Sequence, residues 1–298
     1  RNSNGNVYIS DCGSSSVSKV GKYRLLPFLK YKGYGKIKGI FISHMDEDHM
    51  NGILELMEMA PTEHLQIEYL FLPESVLLIE EDQEDLKELS TLASRNGTKI
   101  IYLSQGEEIQ DGELRFSCVY PALQEVDYSD FKKEDRNNSS LVLLMQYQEF
   151  EMLFTGDVEK EGEWEIVGYV QEMKEQENRH RESTREGGQV EERMHTDVEK
   201  QMHADEWTQM LRKNARIDVL KVAHHGSSGS SCEEFLEAIR PKISLISCGK
   251  NNSYGHPHTE TLERLEDYGT KIFSTVDSGE IALKIYKRKI KIKPYKTE

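Results

Sequence analysis

Residues 40–52 read Ile-Phe-Ile-Ser-His-Met-Asp-Glu-Asp-His-Met-Asn-Gly, in which an apolar run is followed at once by two histidines and two aspartates. A strand that ends in a tight turn presents consecutive side chains in a fan, so these four groups can converge on cations above the strand end. Asn51-Gly52 is expected to turn the chain into the next helix. Burying charged and polar side chains costs their hydration free energy, so a loop without a function is not expected to concentrate four of them at a strand end. The stretch therefore predicts metal binding.

Three further stretches place polar residues directly after an apolar run. Taken alone, an aspartate in such a place is more often a helix cap or a turn former. Beside residues 44–49, however, the same pattern at four strand ends predicts one shared site. The three stretches end in Gly156-Asp157, in His224-His225-Gly226-Ser227 and in Asp11-Cys12-Gly13.

Short apolar runs rich in β-branched residues alternate with helical patterns along the chain, which predicts an α/β fold with two sheets covered by helices. Gln148 and Glu149 are expected to form a hairpin turn. The predicted strands are 7–9, 39–42, 69–72, 99–103, 114–120, 141–147, 152–155, 218–222, 243–247, 271–274 and 281–286. The predicted helices are 22–32, 53–59, 86–93, 232–239 and 259–268.

The composition excludes several classes of protein. The chain of 298 residues can bury a sizeable core, and its net charge of −15 opposes a nucleic-acid binder with a uniformly basic surface. We find no apolar run of the roughly 18 to 20 residues that a membrane-spanning helix needs and no secretory signal, so we expect a soluble chain. Because it begins with Arg1 and not Met, we expect it to be part of a longer protein. The four cysteines lack a C-x-x-C pair and are expected to be unpaired thiols. They are Cys12, Cys118, Cys232 and Cys248.

Charge is distributed unevenly along the chain. Residues 159–207 hold 15 acidic and 7 basic side chains, whereas residues 284–296 hold seven basic side chains and no acidic one. Residues 165–206 lack an apolar stripe and are predicted to be a charged low-complexity insertion, either helical or disordered, outside the core. Metal binding by the histidines of this insertion is disfavoured, since they have no acidic or cysteine partners at ligand spacing. They are His180, His195 and His203.

The set of motifs resembles the metallo-β-lactamase superfamily. The residues that carry the resemblance are His44-x-Asp46-x-Asp48-His49, Thr155-Gly156-Asp157 and Ala223-His224-His225-Gly226-Ser227. Asn-Asn-Ser-Ser-Leu-Val-Leu at 137–143 and Tyr-Gly-His-Pro-His at 254–258 are similar, in addition, to the carboxy-terminal domain of ComEC proteins, the DNA-uptake channels of transformable bacteria. The similarity covers roughly residues 6–164 and 208–290, and the acidic segment departs from it.

The resemblance implies a single domain over residues 1–298 with an αββα sandwich, in which two mixed β-sheets are flanked by helices and a two-metal site lies along one edge. His44 and Asp46 are expected to hold one metal, and Asp48 and His49 the other. Asp157 is expected to bridge the two. The remaining ligand is His225, with His224 as the alternative.

Other residues take their expected roles from the same resemblance. Asp11 corresponds to an early aspartate that orients ligands, which has a physical basis because a metal-bound imidazole needs an acceptor for its second N–H. Asn138 and Ser139 stand where many relatives have a third metal-binding histidine, and this is a departure from the family pattern. His256 is expected to bind a substrate phosphate or to act as a general acid; alternatively it is a turn residue beside Pro257.

Two cations lower the pKa of a water towards neutrality and neutralise charge on a phosphoryl transition state, so no protein nucleophile is needed. Asp48 and His256 are assigned to catalysis, and the loss of Asp48 is expected to abolish cleavage. A ligand set rich in oxygen shifts the preference from zinc towards manganese, so two manganese or zinc ions are expected. No small organic cofactor is expected.

The resemblance implies a metal-dependent DNA nuclease that cuts the strand that does not enter the cell, within a membrane channel protein at the outer face of the cytoplasmic membrane. Lysines that alternate with Ile and Tyr after residue 284 favour DNA contacts at Lys287, Lys289 and Lys291. An edge strand that uses lysine against aggregation has the same pattern. The alternatives are a superfamily phosphodiesterase for a non-DNA phosphoester and a non-catalytic domain associated with the channel.

Overall fold

A computed structural model describes residues 1–122, 133–168, 216–286 and 289–295. The chain divides into two compact units. The first comprises Arg1–Gln105 and Tyr120–Val142, and the second comprises Gly106–Val119 and Leu143–Glu298. Most of the predicted insertion at 165–206 lies outside the described residues, as do its three histidines. The single domain and the insertion therefore stay predictions.

The first unit is built on a parallel sheet with the strand order β1-β2-β3-β4. Parallel neighbours need crossover connections, and helices supply them here. The strands are β1 (Tyr8–Ser10), β2 (Lys36–Phe41), β3 (Gln66–Pro73) and β4 (Lys99–Leu103). The helices are a π-helical turn (Gly21–Leu25) that continues into α1 (Leu26–Lys32), then α2 (Glu47–Met59) and α3 (Gln83–Asn96).

The core of this unit joins the sheet to the apolar faces of its helices. Ile37, Ile40 and Leu70 from the strands are fully buried, as are Ile53 and Leu56 from α2. In α3 the buried residues recur at helical spacing, which lets one face cover the sheet while the other stays polar. They are Leu86, Leu89, Leu92 and Ala93.

The second unit carries a seven-stranded mixed sheet with the order β11-β10-β9-β8-β7-β6-β5. Strands β8 to β11 are parallel, while β5-β6 and β7-β8 are antiparallel hairpins. The strands are β5 (Glu108–Asp111), β6 (Leu114–Tyr120), β7 (Val142–Tyr147), β8 (Phe150–Phe154), β9 (Val219–Lys221), β10 (Ile243–Ile246) and β11 (Lys271–Ser274). The helices are α4 (160–168), α5 (Glu233–Ile239), α6 (Thr259–Asp267) and α7 (Thr275–Ser278).

A two-stranded antiparallel sheet completes the described part of this unit. It is formed by β12 (Glu280–Tyr286) and β13 (Lys289–Tyr295). The alternation of side chains along each strand places the lysines on one face and the isoleucines on the other. The register sets Lys284 opposite Lys291 and Leu283 opposite Ile292.

The structure contains the predicted strands and helices with small shifts at their ends, including the hairpin turn at Gln148 and Glu149. The expected turn at Asn51-Gly52 is wrong, because both residues lie inside α2, which begins six residues earlier than predicted. Strand β5 and helices α4 and α7 were not predicted, and β13 corresponds to the edge strand that was the alternative for the lysines after residue 284. All four cysteines are free thiols. Among the helices of the described residues, none has the length and apolar character needed to cross a membrane.

Candidate metal centre

The first cluster of predicted ligands lies at the carboxyl ends of β1 and β2 and at the start of α2. The two strands are parallel, with Ser10 opposite Phe41, so Asp11 and His44 leave the sheet at the same edge. Asp46 is the N-cap residue of α2, and its carbonyl oxygen accepts hydrogen bonds from the N–H groups of His49 and Met50. The ligands after β2 therefore belong partly to a helical turn and not to a loop.

Asp11 fixes the orientation of His49. Nδ1 of the buried His49 ring lies 3.2 Å from Oδ2 of Asp11 and 3.1 Å from Oγ of Ser43. The other carboxylate oxygen of Asp11 accepts a 2.7 Å hydrogen bond from the Ser43 N–H. Because the carboxylate accepts the Nδ1–H, the lone pair of the ring is on Nε2, which is the atom able to act as a metal ligand. Burial alone raises the pKa of Asp11, but His49 and the Ser43 N–H together hold that pKa below its ordinary value.

His44 has a buried nitrogen that needs a partner. Its Nδ1 lies 3.1 Å from Oγ of Ser43 and 3.4 Å from Oγ of Ser140. Its Nε2 is buried and has no hydrogen-bond partner among the residues that the structure describes. A buried polar atom without a partner is destabilising, so this nitrogen fits a metal ligand. The nearest carboxylate oxygen is Oδ2 of Asp46, at 3.7 Å.

A buried arginine, Arg136, lies beside Asp46, and no sequence motif pointed to it. Nη1 of Arg136 lies 3.2 Å from Oδ1 of Asp46, and its Nε lies 2.7 Å from Oδ1 of the buried Asp82. Burial raises the pKa of Asp46, but the charge of the nearby His44 ring and the hydrogen bond and charge of Arg136 outweigh it and lower that pKa to about 2. Burial raises the pKa of Asp82 to about 7 although Arg136 opposes this shift.

Asn138 and Ser139 make contacts within their own turn and with neighbouring backbone. The Ser139 hydroxyl donates to the carbonyl oxygen of Arg136 at 2.7 Å, and the Asn138 carbonyl oxygen accepts from the Tyr120 hydroxyl at 2.6 Å. Within this turn the hydroxyl that faces the His44 ring belongs to Ser140, which the sequence argument did not single out. The proposed roles of Asn138 and Ser139 at the first metal position therefore stay predictions.

The second cluster lies at the carboxyl ends of the parallel strands β8, β9 and β10. The buried Asp157 follows β8, and the His224-His225 pair follows β9. His224, His225 and Gly226 all have positive φ angles, of 45°, 53° and 87°. Two consecutive non-glycine residues in this conformation are strained, and such strain persists where surrounding contacts fix the backbone.

Both histidines direct Nε2 towards Asp157. Nδ1 of His225 lies 2.6 Å from the carbonyl oxygen of Ser247, which only accepts, so Nδ1 carries the hydrogen. Its Nε2 lies 3.5 Å from Oδ2 of Asp157. Nδ1 of His224 lies 3.0 Å from Oε1 of Glu159, and its Nε2 lies 3.9 Å from the same Asp157 oxygen. The shorter distance favours His225, and Glu159 is a partner that the sequence argument missed.

His256 and His258 lie close together but differ in their surroundings. The His256 ring is 5.3 Å from the His224 ring and 4.8 Å from the His258 ring. Burial, followed by the charges of neighbouring histidines, lowers the pKa of His256 to about 4, so its imidazole is neutral at pH 7. His258 instead uses both nitrogens, accepting from the Ser228 N–H and donating to the Tyr254 carbonyl oxygen.

The predicted DNA-binding lysines lie on the β12-β13 hairpin, except that Lys287 is outside the described residues. Lys289 pairs with Tyr286 across the strands, and Lys291 pairs with Lys284. Lys289 and Lys291 are exposed, and neither forms an ion pair within the described part of the chain. The lysines of β13 therefore share one side of the hairpin with Lys284 and Tyr286.

Residues 6–215 match a family model described as a beta-lactamase superfamily domain. ComE operon protein 3 of Bacillus subtilis is 28% identical over 271 residues, which cover 91% of this chain and 27% of that protein. Recombination protein 2 of Haemophilus influenzae is 23% identical over 296 residues, which cover 99% of this chain and 28% of that protein. Competence protein ComA of Neisseria gonorrhoeae is 28% identical over 153 residues, which cover 51% of this chain and 16% of that protein. The chain spans about a quarter of the length of the first two relatives.

Proposed function

The chain belongs to the β-lactamase superfamily, and from this premise we propose that it is a metal-dependent phosphodiesterase that cuts DNA during competence. The observation that carries the proposal is the buried Nε2 of His44, which has no hydrogen-bond partner among the described residues and lies beside Asp46. The names of three relatives, which refer to the ComE operon, to recombination and to competence, support DNA as the substrate.

We propose that the predicted ligand residues bind two divalent cations, manganese or zinc, as the resemblance implies. The first cluster contributes His44, Asp46, Asp48 and His49, and the second contributes Asp157 with His225 or His224. Bound metal supplies a hydroxide near neutral pH and neutralises charge that develops on the phosphate. The mixture of imidazoles and carboxylates, without a thiolate, suits these metals. No small organic cofactor takes part.

Residues around the ligands hold them in the required tautomer. Asp11 accepts the Nδ1–H of His49, and the Ser247 carbonyl accepts that of His225, so each ring keeps Nε2 as its ligand atom. His256 is neutral at pH 7 and is proposed to donate a hydrogen bond to a phosphate oxygen of the substrate. Asp48, in the first turn of α2, is proposed as a metal ligand without which cleavage stops.

The proposed substrate is the DNA strand that does not enter the cell. Lys289 and Lys291 on the hairpin are exposed and suit contacts with phosphates, and Lys287 is proposed to join them. The chain is proposed to act within a larger membrane channel protein, at the outer face of the cytoplasmic membrane. Its place in such a protein agrees with the share of the relatives that it covers.

The test uses end-labelled single-stranded and duplex DNA, incubated with the purified chain and Mn²⁺, Zn²⁺, Mg²⁺ or EDTA. We expect cleavage with Mn²⁺ or Zn²⁺ that EDTA stops and that D48A and H49A both lack. The control E88A removes an exposed acidic side chain from α3 and is expected to leave cleavage unchanged. Turnover of bis-nitrophenyl phosphate without DNA cleavage would instead support a phosphodiesterase for another substrate. Absence of both, with no metal retained after purification without chelator, would support a non-catalytic domain.

A further inference from the structure

One segment of this acidic chain carries positive charge only. Residues 12–45 contain seven basic side chains and no Asp or Glu, whereas the whole chain has a net charge of −15. The basic residues are Lys19, Lys22, Arg24, Lys30, Lys32, Lys36 and Lys38. Lys30 pairs with Glu63, and Lys36 and Lys38 pair with Glu68. The other four form no ion pair with any residue of the described ranges.

Three of these four cations, Lys22, Arg24 and Lys32, share a helical surface with exposed aromatic rings. Gly21, Leu26 and Leu29 are the buried residues of the π-helical turn and α1. On the opposite side Tyr23 is 60% exposed, and Tyr31 is 83% exposed. We call the outward residues the basic aromatic face. They are Lys22, Tyr23, Arg24, Phe28, Tyr31 and Lys32.

The cations and rings of this face lie against one another. Nζ of Lys32 is 5.3 Å from the centre of the Phe28 ring and 5.5 Å from that of Tyr31. Nζ of Lys22 is 5.4 Å from the centre of the Tyr23 ring. Each ring therefore has a basic group close to it, an arrangement that suits an interface with an apolar layer beneath an anionic one.

We infer that the basic aromatic face docks on an anionic lipid bilayer. Tyrosine rings are favoured at the level of the lipid head groups, and Lys and Arg reach from there to the phosphates. A cluster of basic residues is attracted to an anionic membrane surface, and the acid that contacts this face, Glu55, accepts a hydrogen bond from the backbone N–H of Lys22 and forms no ion pair with its side chain within the described ranges. A helical segment that presents Lys and Arg beside Phe and Tyr on its outer surface is typical of helices that lie in the membrane interface, and this pattern favours a bilayer over a nucleic acid. The inference does not depend on metal binding or on DNA cleavage.

The test is flotation of the intact chain with vesicles of phosphatidylcholine that contain about 30% phosphatidylglycerol, in EDTA and without DNA. We expect binding to these vesicles, little binding to pure phosphatidylcholine, and release at about 0.5 M salt. The variant K22Q/R24Q/K32Q is expected to bind about tenfold more weakly or worse. The variant Y23S/F28S/Y31S is expected to lose binding although it keeps every charge. Circular dichroism of each variant checks that it is folded.

The matched control is K289Q/K291Q/K293Q, which removes the same number of charges from the hairpin. It is expected to keep vesicle binding within about twofold, since the face at residues 22–32 is unchanged. The inference would be overturned if K22Q/R24Q/K32Q and K289Q/K291Q/K293Q lost vesicle binding equally. It would also be overturned if the unaltered chain did not bind anionic vesicles. A labelled oligothymidine that binds, and that K22Q/R24Q/K32Q alone releases, would identify the face as a nucleic-acid contact and also overturn it.

Discussion

At the scale of single residues, Arg136 is the side chain on which the first cluster depends most. Its planar guanidinium contacts two carboxylates at once, Asp46 at 3.2 Å and Asp82 at 2.7 Å. A lysine has the same charge but lacks the fork that reaches both partners. Arg136 therefore holds Asp46 in place while it compensates the buried Asp82.

We expect R136A to lower the free energy of unfolding by about 3–5 kcal/mol, because it leaves the buried Asp82 without its compensating charge. R136K is expected to recover only part of this loss. Urea denaturation at pH 8.5, above the pKa of about 7 at which Asp82 ionises, measures both. The control is K36A, which removes a cation that is 61% exposed and 3.3 Å from Glu68, and its expected cost is at most about 1 kcal/mol. Equal costs for R136A and K36A would show that Arg136 is not a structural cation.

The residue scale also shows what the sequence could predict. Asp11 and Asp157 could be found because each follows an apolar strand, and the parallel pairing of β1 with β2 and of β8 with β9 brings strand ends together. Arg136 could not be found, because its partners are 54 and 90 residues away and only the folded chain joins them. The contact of Glu159 with His224 could not be predicted either, because an additional acidic residue in a polar stretch does not stand out in the sequence.

At the scale of elements, Glu163 of α4 holds the start of α5. Its fully buried carboxylate accepts hydrogen bonds from the N–H groups of Ser231 and Cys232, at 2.6 and 2.7 Å. Burial raises the pKa of Glu163 to about 7, although these hydrogen bonds and the charge of Arg264 oppose the shift. The carboxyl is therefore harder to ionise in the folded chain than in the unfolded one.

This shift predicts a pH dependence of stability. When the folded pKa of an acid is raised, the folded state binds the proton more tightly, so stability falls as pH rises from the ordinary value of 4.5 to about 7. The contribution of Glu163 over this window is about 3 kcal/mol. In E163Q, which cannot ionise, we expect this component of the slope to disappear. Denaturation of both proteins between pH 4.5 and 7.5 measures it, and parallel curves would contradict the assignment.

The turn after β9 predicts a second effect at the element scale. Gly226 has a φ of +87°, and a Cβ there would lie 2.7 Å from Cβ of Pro257. G226A is therefore expected to lose stability through both backbone strain and overpacking, about 2–5 kcal/mol in total. The matched control is G269A, where φ is +69° but nothing lies within 4 Å of the added atom, so only the strain of about 1–2 kcal/mol remains. Urea denaturation compares them, and equal costs would exclude a steric role for Pro257.

The start of α2 shows why an element boundary escaped prediction. Asn51-Gly52 has the composition of a turn, yet both residues are helical. The reason is tertiary, since a Cβ on Gly52 would lie 2.7 Å from the carbonyl oxygen of Cys12. The absence of a side chain at Gly52 lets the loop after β1, which contains Asp11, pack closely against α2. Local helix propensity contains no information about this contact between distant parts of the chain.

At the scale of the whole molecule, the predicted fold class is confirmed: the chain has a metallo-β-lactamase fold, with α/β content and sheets flanked by helices. Alternation of strand and helix patterns was enough for the α/β class with two covered sheets, whereas the metallo-β-lactamase sandwich followed from the family resemblance. The positions of charge in space were harder to predict. Lys284 lies on the same face as the lysines of β13 because β13 pairs with β12, and this pairing was not predicted.

The last prediction concerns how an acidic molecule binds DNA. With a net charge of −15, affinity for single-stranded DNA has to come from local basic surfaces, and Lys289, Lys291 and Lys293 form one of them. Each phosphate contact adds about 0.7 to the slope of log affinity against log salt, so K289Q/K291Q/K293Q is expected to reduce that slope by about 2. Fluorescence anisotropy of a labelled oligothymidine in EDTA measures it without cleavage. K22Q/R24Q/K32Q, with the same loss of charge, is expected to keep the slope. If instead both variants reduce the slope equally, the effect belongs to net charge, and the hairpin is not the DNA contact.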